Sequence, residues 1–159
     1  MPKIFALIGL MLFLMSQAGL VSAYPITTKY YSLDLPANWS VLKGPTRKKD
    51  LIFLQLANQK KTATATLVVG PASAAEAQQA PYMAASRANA TVYQNQGQTE
   101  FSVNHGTEHG FCIFRYDSKS QLLLILTISG DTAETGFIFK IKSPHMQLRP
   151  VVPMGLKVR

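Results

Sequence analysis

The sequence predicts a single α+β domain with a mainly antiparallel sheet of about six to eight strands flanked by two helices. Three observations predict this fold class. Short segments with apolar residues at every second position recur along the chain, as in half-buried strands. Two segments begin with the residue pattern of a helix capping box. The chain has 159 residues, 47% hydrophobic and 15% charged. This composition suits one packed core and excludes a disordered polyelectrolyte.

Residues 1–23 have the organisation of a secretory signal peptide. A lysine precedes an apolar run over 4–15, and the small residue Ala23 ends a more polar stretch. The alternative is an uncleaved membrane anchor, which needs about 20 apolar residues, but Gln17 interrupts the run. We therefore expect an exported protein, periplasmic or extracellular, that begins at Tyr24 and has no transmembrane helix after cleavage.

The mature chain opens with four expected strands. Residues 31–35 alternate between apolar and polar side chains and predict the first. A short second strand over 39–43 is expected to end at Gly44-Pro45, before a solvated basic loop. Segments 51–57 and 62–69 flank a polar turn and predict a hairpin.

A helix is expected to begin at Ser73, because Ser73 and Glu76 match a capping box. Pro81 lacks an amide proton, so we expect this helix to kink or restart near Ala80. Its alanine- and glutamine-rich sequence extends toward Ala90.

Strand composition returns over 91–94, 99–104, 111–117 and 121–129. The run over 122–128 is apolar on both faces, which predicts a central, deeply buried strand with both sides covered.

Residues 132–143 fit either a strand or a helix. We favour the helix, because Asp131 and Glu134 resemble a second capping box and Pro144 supplies a stop. The single domain then spans 24–149, and the tail over 150–159 is expected to be extended and mobile.

The opening Tyr30-Tyr31-Ser32-Leu33-Asp34-Leu35-Pro36-Ala37-Asn38-Trp39, followed by strands, a helix, strands and a helix, resembles the PsbP-like superfamily, which includes bacterial DcrB-type envelope proteins. The resemblance spans residues 28–145. It implies a small α+β sandwich with an antiparallel sheet, and accessory or binding roles. It brings no catalytic residues with it.

One segment carries a metal-site pattern. His105, Glu108 and His109 match the H-x-x-E-H pattern, which binds zinc when a helix presents both imidazoles on one face. Glycines and predicted strands surround this segment, so we expect a solvated hairpin loop instead. The alternative hypothesis is a metal site that uses His105, Glu108 and His109, with Cys112 as a further ligand. As the only cysteine, Cys112 forms no internal disulfide, and we expect it to be buried and inert.

No other pattern indicates catalysis. The sequence has no G-x-S-x-G elbow and no glycine-rich phosphate loop, and its eight acidic residues leave little material for a carboxylate pair. We expect no cofactor and favour a noncatalytic binding or accessory protein of the cell envelope. An unrecognised hydrolase remains a second alternative.

The net charge of +8 indicates an acidic protein partner or an anionic surface. For an exported protein we expect these partners rather than nucleic acid. The expected contact loop contains Lys43, Arg47, Lys48 and Lys49. A second basic pair, over 60–61, is separated from this loop by a strand of about 23 Å.

Overall fold

The computed structural model describes residues 24–105 and 108–158, apart from the side chains of His105 and Glu108. The expected signal peptide lies outside the described residues. Within them, no helix is both long and apolar enough to cross a membrane. The elements in chain order are β1 (Tyr24–Thr27), β2 (Ser32–Leu35), β3 (Trp39–Lys48), β4 (Leu51–Asn58), β5 (Ala63–Pro71), α1 (Ala74–Arg87), β6 (Tyr93–Asn95), β7 (Gln98–His105), β8 (Glu108–Asp117), β9 (Leu122–Gly130), a long 3₁₀ helix (Thr132–Lys140) and a short one (Met146–Leu148).

The strands form two antiparallel sheets. Seven of them build one sheet in the order β3-β4-β5-β9-β8-β7-β6, and β1 pairs with β2 in a separate two-stranded sheet. The prediction of an α+β fold with a mainly antiparallel sheet is confirmed. The apolar strand β9 occupies the middle of the large sheet, as its sequence predicts.

One face of the large sheet, the core face, packs against β1, β2 and the long 3₁₀ helix. Leu54, Leu67, Leu126 and Ile113 lie side by side across four strands and are fully buried. Rows of this kind bury apolar area, which is the main stabilising contribution to folding.

The opposite face, the helix face, is only partly covered. Helix α1 packs on β7 and β8, where Phe101, Cys112 and Phe114 form a small apolar cluster. On β9 the same face leaves Ile125 half-buried and Thr127 exposed. The expectation that both sides of this strand are covered therefore holds only in part.

Helix α1 begins as predicted but does not break. Ser73 Oγ accepts the Glu76 amide at 3.2 Å, and Glu76 Oε2 accepts the Ser73 amide at 2.7 Å. The expected restart near Ala80 is wrong, because α1 runs without interruption through Pro81 to Arg87. Pro81 is buried, and the hydrogen bond that proline does not donate is lost without ending the helix.

Strand β3 is longer than expected. It continues through Arg47 and Lys48, which were expected to lie in a basic loop. Its register with β4 shifts on either side of Lys43, so Gly44-Pro45 forms an irregularity inside the strand. Gly44 has φ +89°, and a Cβ there would clash with the Phe53 carbonyl oxygen. Bulges are tolerated on edge strands, where a proline needs no ladder partner. The prediction that the strand ends at Lys43 is therefore wrong.

The segment after β9 is helical, as favoured, but it is a 3₁₀ helix without the expected cap. Asp131 makes no side-chain cap hydrogen bond. Glu134 Oε2 instead accepts from Asn58 Nδ2 at 3.0 Å. Asn58 also organises the β4–β5 turn, because its Oδ1 accepts the amides of Thr62 and Ala63. The carboxylate of Glu134, which the sequence assigns to a capping box, therefore forms a tertiary hydrogen bond with Asn58 instead.

The C-terminal segment 150–158, here called the docked tail, is extended and lies against the sheet. Gln98 exchanges two hydrogen bonds with Val151, at 2.9 and 3.0 Å. Glu100 Oε1 accepts the Met154 amide at 2.7 Å, and Leu156 is buried in the main core. These contacts hold Val151, Met154 and Leu156 of the docked tail against β7 and the main core.

Candidate functional site

The basic residues expected to contact a partner lie on and beside the end of β3. Arg47, Lys48 and Lys49 are exposed and consecutive. Arg47 Nε donates to the Lys49 carbonyl at 2.8 Å, and Arg47 Nη2 is 3.5 Å from Asp50 Oδ1. Lys43 stands apart, because it lies five positions before Lys48, at most about 16 Å along the strand, and its Nζ is 5.7 Å from the centroid of the Phe53 ring. The structure therefore groups three of the four expected residues.

A fourth cation joins this group from another part of the chain. Lys29 Nζ donates to Asp50 Oδ1 at 2.6 Å. The Tyr30 hydroxyl donates to the Asp50 carbonyl at 2.7 Å, which ties the β3–β4 turn to the β1–β2 loop. The hydrogen bond from Lys29 lowers the pKa of Asp50 and raises the pKa of Lys29. Both groups are exposed, so solvent screens this pair and it adds little stability.

Lys29 also lines a cleft with two further cations. The cleft has a volume of about 310 Å³ and contains Lys142 and Arg149 in its walls. Lys142 Nζ lies 3.3 Å from Asp34 Oδ2. Arg149 donates through Nε and Nη2 to the Ser143 carbonyl at 3.3 and 2.8 Å, and it makes no ion pair with a carboxylate of the described residues.

These groups define the basic surface, which contains six cations and the two carboxylates that pair with some of them. Its cations are Lys29, Arg47, Lys48, Lys49, Lys142 and Arg149. The three that sequence reasoning missed come from the β1–β2 loop and from the segments after the long 3₁₀ helix. Only tertiary contacts bring them to the β3–β4 turn, such as the mutual backbone hydrogen bonds of Ser32 and Lys142 at 2.8 and 3.0 Å.

Of the four candidate metal ligands, the structure describes the side chains of His109 and Cys112. His105 and Glu108 pair through their backbones at the end of the β7–β8 hairpin, but their side chains lie outside the described residues. His109 and Cys112 are both on β8, three residues apart, so strand alternation places them on opposite faces of the sheet. His109 Nδ1 lies 2.7 Å from Asn104 Oδ1. In the part of the chain that the structure describes, no three His, Cys, Asp or Glu side chains are close enough to hold a metal.

Cys112 has the environment of a structural thiol. It is buried on the helix face, and its Sγ lies 3.6 Å from Thr127 Oγ1. Burial raises the pKa of this thiol, whereas a reactive cysteine needs a lowered one. Arg115, the nearest cation in sequence, extends from the other face and donates to the Gln147 and Gln96 carbonyls at 2.7 and 2.9 Å.

Comparison with known proteins adds no assignment, because no protein-family model matches the chain and no curated protein matches it significantly.

Proposed function

We propose that the protein is an exported, noncatalytic binding protein of the cell envelope that contacts an anionic lipid surface through the basic surface. One observation carries this proposal. Lys29 joins the β3–β4 turn to the cleft of Lys142 and Arg149, so cations from three distant segments share one end of the molecule. The basic surface contains six of the sixteen lysines and arginines and two of the eight acidic residues, so it carries +4 of the formal net charge of +8.

The charge balance of the basic surface favours an anionic partner. Lys48 and Lys49 make no ion pair with a described carboxylate, and only Asp34 and Asp50 offset the other cations. Each lysine or arginine close to an anionic membrane contributes about 1 kcal/mol to binding, and salt screens the attraction. Several such residues at one end of a domain give weak, reversible association with a flat surface.

The PsbP-like assignment belongs to the same proposal. A mainly antiparallel sheet with α1 on one face and the long 3₁₀ helix on the other is consistent with the sandwich of that superfamily, whose members have accessory and binding roles. That resemblance favours binding over catalysis. The buried thiol of Cys112 and the separation of His109 from Cys112 point the same way.

Cosedimentation with phosphatidylglycerol vesicles tests the proposal. The protein should bind these vesicles at low salt and be released by 0.5 M NaCl. It should not bind phosphatidylcholine vesicles. The double variant Lys48→Glu with Lys49→Glu should bind at least about 30-fold more weakly, since two lysines contribute about 2 kcal/mol before any repulsion is counted.

The matched control reverses two exposed charges at the other end of the sheet. Lys60 follows β4 at that end, and Arg87 ends α1 near it. The variant Lys60→Glu with Arg87→Glu should bind vesicles like the wild type. Equal losses in both double variants would show that only total charge matters and would refute a localised basic surface.

A further inference from the structure

A separate cavity lies at the end of the sheet opposite the basic surface. It is an open cleft with a volume of about 730 Å³, bordered by the β4–β5 turn, β8, the start of the long 3₁₀ helix and the docked tail. This volume is within the range of about 300 to 1,000 Å³ that is typical of small-molecule sites.

Cations line the cavity from different segments. Lys61 comes from the β4–β5 turn and Lys157 from the docked tail, and His109 on β8 also lines the cavity. Neither lysine makes an ion pair with a carboxylate of the described residues. Asp131 is the one acidic residue among the described lining residues. The electrostatic balance of the cavity therefore favours an anion.

The rest of the wall is mixed: Phe111, Leu156 and Ala133 are apolar, whereas Thr62, Thr132 and Asp131 are polar. Its apolar part borders a second cavity. Phe111 and Leu156 line the first cavity, and Phe111 also lines the second, which has a volume of about 330 Å³. Gly155 also lines both cavities, and because it is a glycine it adds no side chain where they meet.

Tyr93 and Met154 line the second cavity and are 48% and 54% exposed. Glu100 and Ser102 also line it, but both carboxylate oxygens of the buried Glu100 already accept hydrogen bonds within the protein. The surface left for an alkyl chain is therefore that of Phe111, Tyr93 and Met154.

We propose that these two cavities bind a single-chain anionic amphiphile, with the anionic head between Lys61 and Lys157 and the alkyl chain along Phe111 toward Tyr93 and Met154. The charge at one end and the apolar track at the other match the two parts of such a ligand. The inference does not depend on the basic surface, which lies at the opposite end of the sheet and contacts a lipid surface rather than a single molecule.

Isothermal titration calorimetry with soluble ligands tests this site. Decanoate should bind, and it should bind about tenfold more tightly than octanoate, because each methylene that leaves water strengthens binding by up to about fourfold. Octanoate should in turn bind more tightly than the uncharged 1-octanol. Decyl phosphate should bind at least as well as decanoate, since the lysines recognise charge rather than one head group.

Two variants separate the head and chain subsites. Lys61→Ala with Lys157→Ala should weaken decanoate binding about tenfold and leave 1-octanol binding unchanged. Met154→Gln should reduce the difference in affinity between decanoate and octanoate. All three residues are exposed, so these variants should melt like the wild type. The control Lys60→Ala with Lys119→Ala removes two lysines outside both cavities and should bind decanoate normally.

Three results would overturn the inference. They are no heat of binding at 1 mM decanoate, equal affinity for octanoate and 1-octanol, and unchanged decanoate affinity in the folded Lys61→Ala, Lys157→Ala variant. None of these results affects the vesicle assay, which depends on residues at the other end of the molecule.

Discussion

Replacing Glu100 by glutamine should loosen the docked tail, although the side chain keeps its shape. Glu100 is buried, and its two oxygens accept three hydrogen bonds. Oε1 accepts the Met154 amide at 2.7 Å, and Oε2 accepts from Gln98 Nε2 at 2.6 Å and Asn95 Nδ2 at 3.2 Å. The new amide nitrogen replaces either Oε1 or Oε2. In the first orientation it faces the Met154 N–H, and in the second it faces the side-chain N–H groups of Gln98 and Asn95.

The smallest disturbance leaves one buried N–H without an acceptor, which costs about 1 to 3 kcal/mol. For a domain of this size, the melting temperature should fall by about 4 to 12 °C. Thermal unfolding followed by circular dichroism measures this change, and hydrogen exchange should show faster exchange of the Val151 and Met154 amides. The control Gln94→Ala removes an exposed hydrogen bond in the same hairpin and should shift stability by less than about 0.5 kcal/mol. A Glu100→Gln protein that melts within 1 °C of the wild type would refute the reasoning.

Two further predictions concern single titratable groups. Cys112 should react with iodoacetamide at pH 8 much more slowly in the folded protein than in urea, because burial raises the pKa of its thiol and restricts access; equal rates in the two states would contradict this. In Lys29→Gln, the pKa of Asp50 should rise toward the ordinary value of about 3.9, because the hydrogen bond from Lys29 is the main cause of its lowering. A lowered pKa in the folded state means that the pair stabilises the fold above the ordinary pKa and loses this effect as the pH falls through the lowered one. Carboxyl-carbon NMR titration measures the shift, and an unchanged pKa would show that Lys29 does not hold this carboxylate in solution.

Most of the strands were predictable because their signal is local. Alternation of apolar side chains locates β2 and β5, strand composition locates β7, and the uninterrupted apolar run identifies β9 as central. Strand β1 was not predicted. The errors occur where a tertiary contact overrides the local signal. Pro81 is buried inside an uninterrupted α1, and Glu134 hydrogen-bonds with Asn58 rather than capping a helix.

The docked tail illustrates the same limit in polar residues. Gln98 and Glu100 alternate with apolar neighbours on β7, a pattern that places them toward solvent on a half-buried strand. In the structure the tail covers them and supplies their hydrogen-bond partners, so Gln98 is fully buried. Arg47, Lys48 and Lys49 were recognisable as a group because they are adjacent in sequence. Lys142 and Arg149 reach the same surface only through folding.

The two edges of the large sheet bear on how the protein behaves when crowded. An open edge is a template on which another chain can add a strand and begin a fibre. At one edge, the irregularity at Gly44-Pro45 and the positive charges of β3 interrupt that template. At the other, β6 offers only three residues. Copies of the protein therefore repel one another along β3 and find little to pair with along β6. A concentrated solution should therefore stay free of polymers that form by strand addition at a sheet edge. Contacts with other molecules are then expected through side chains rather than through backbone pairing.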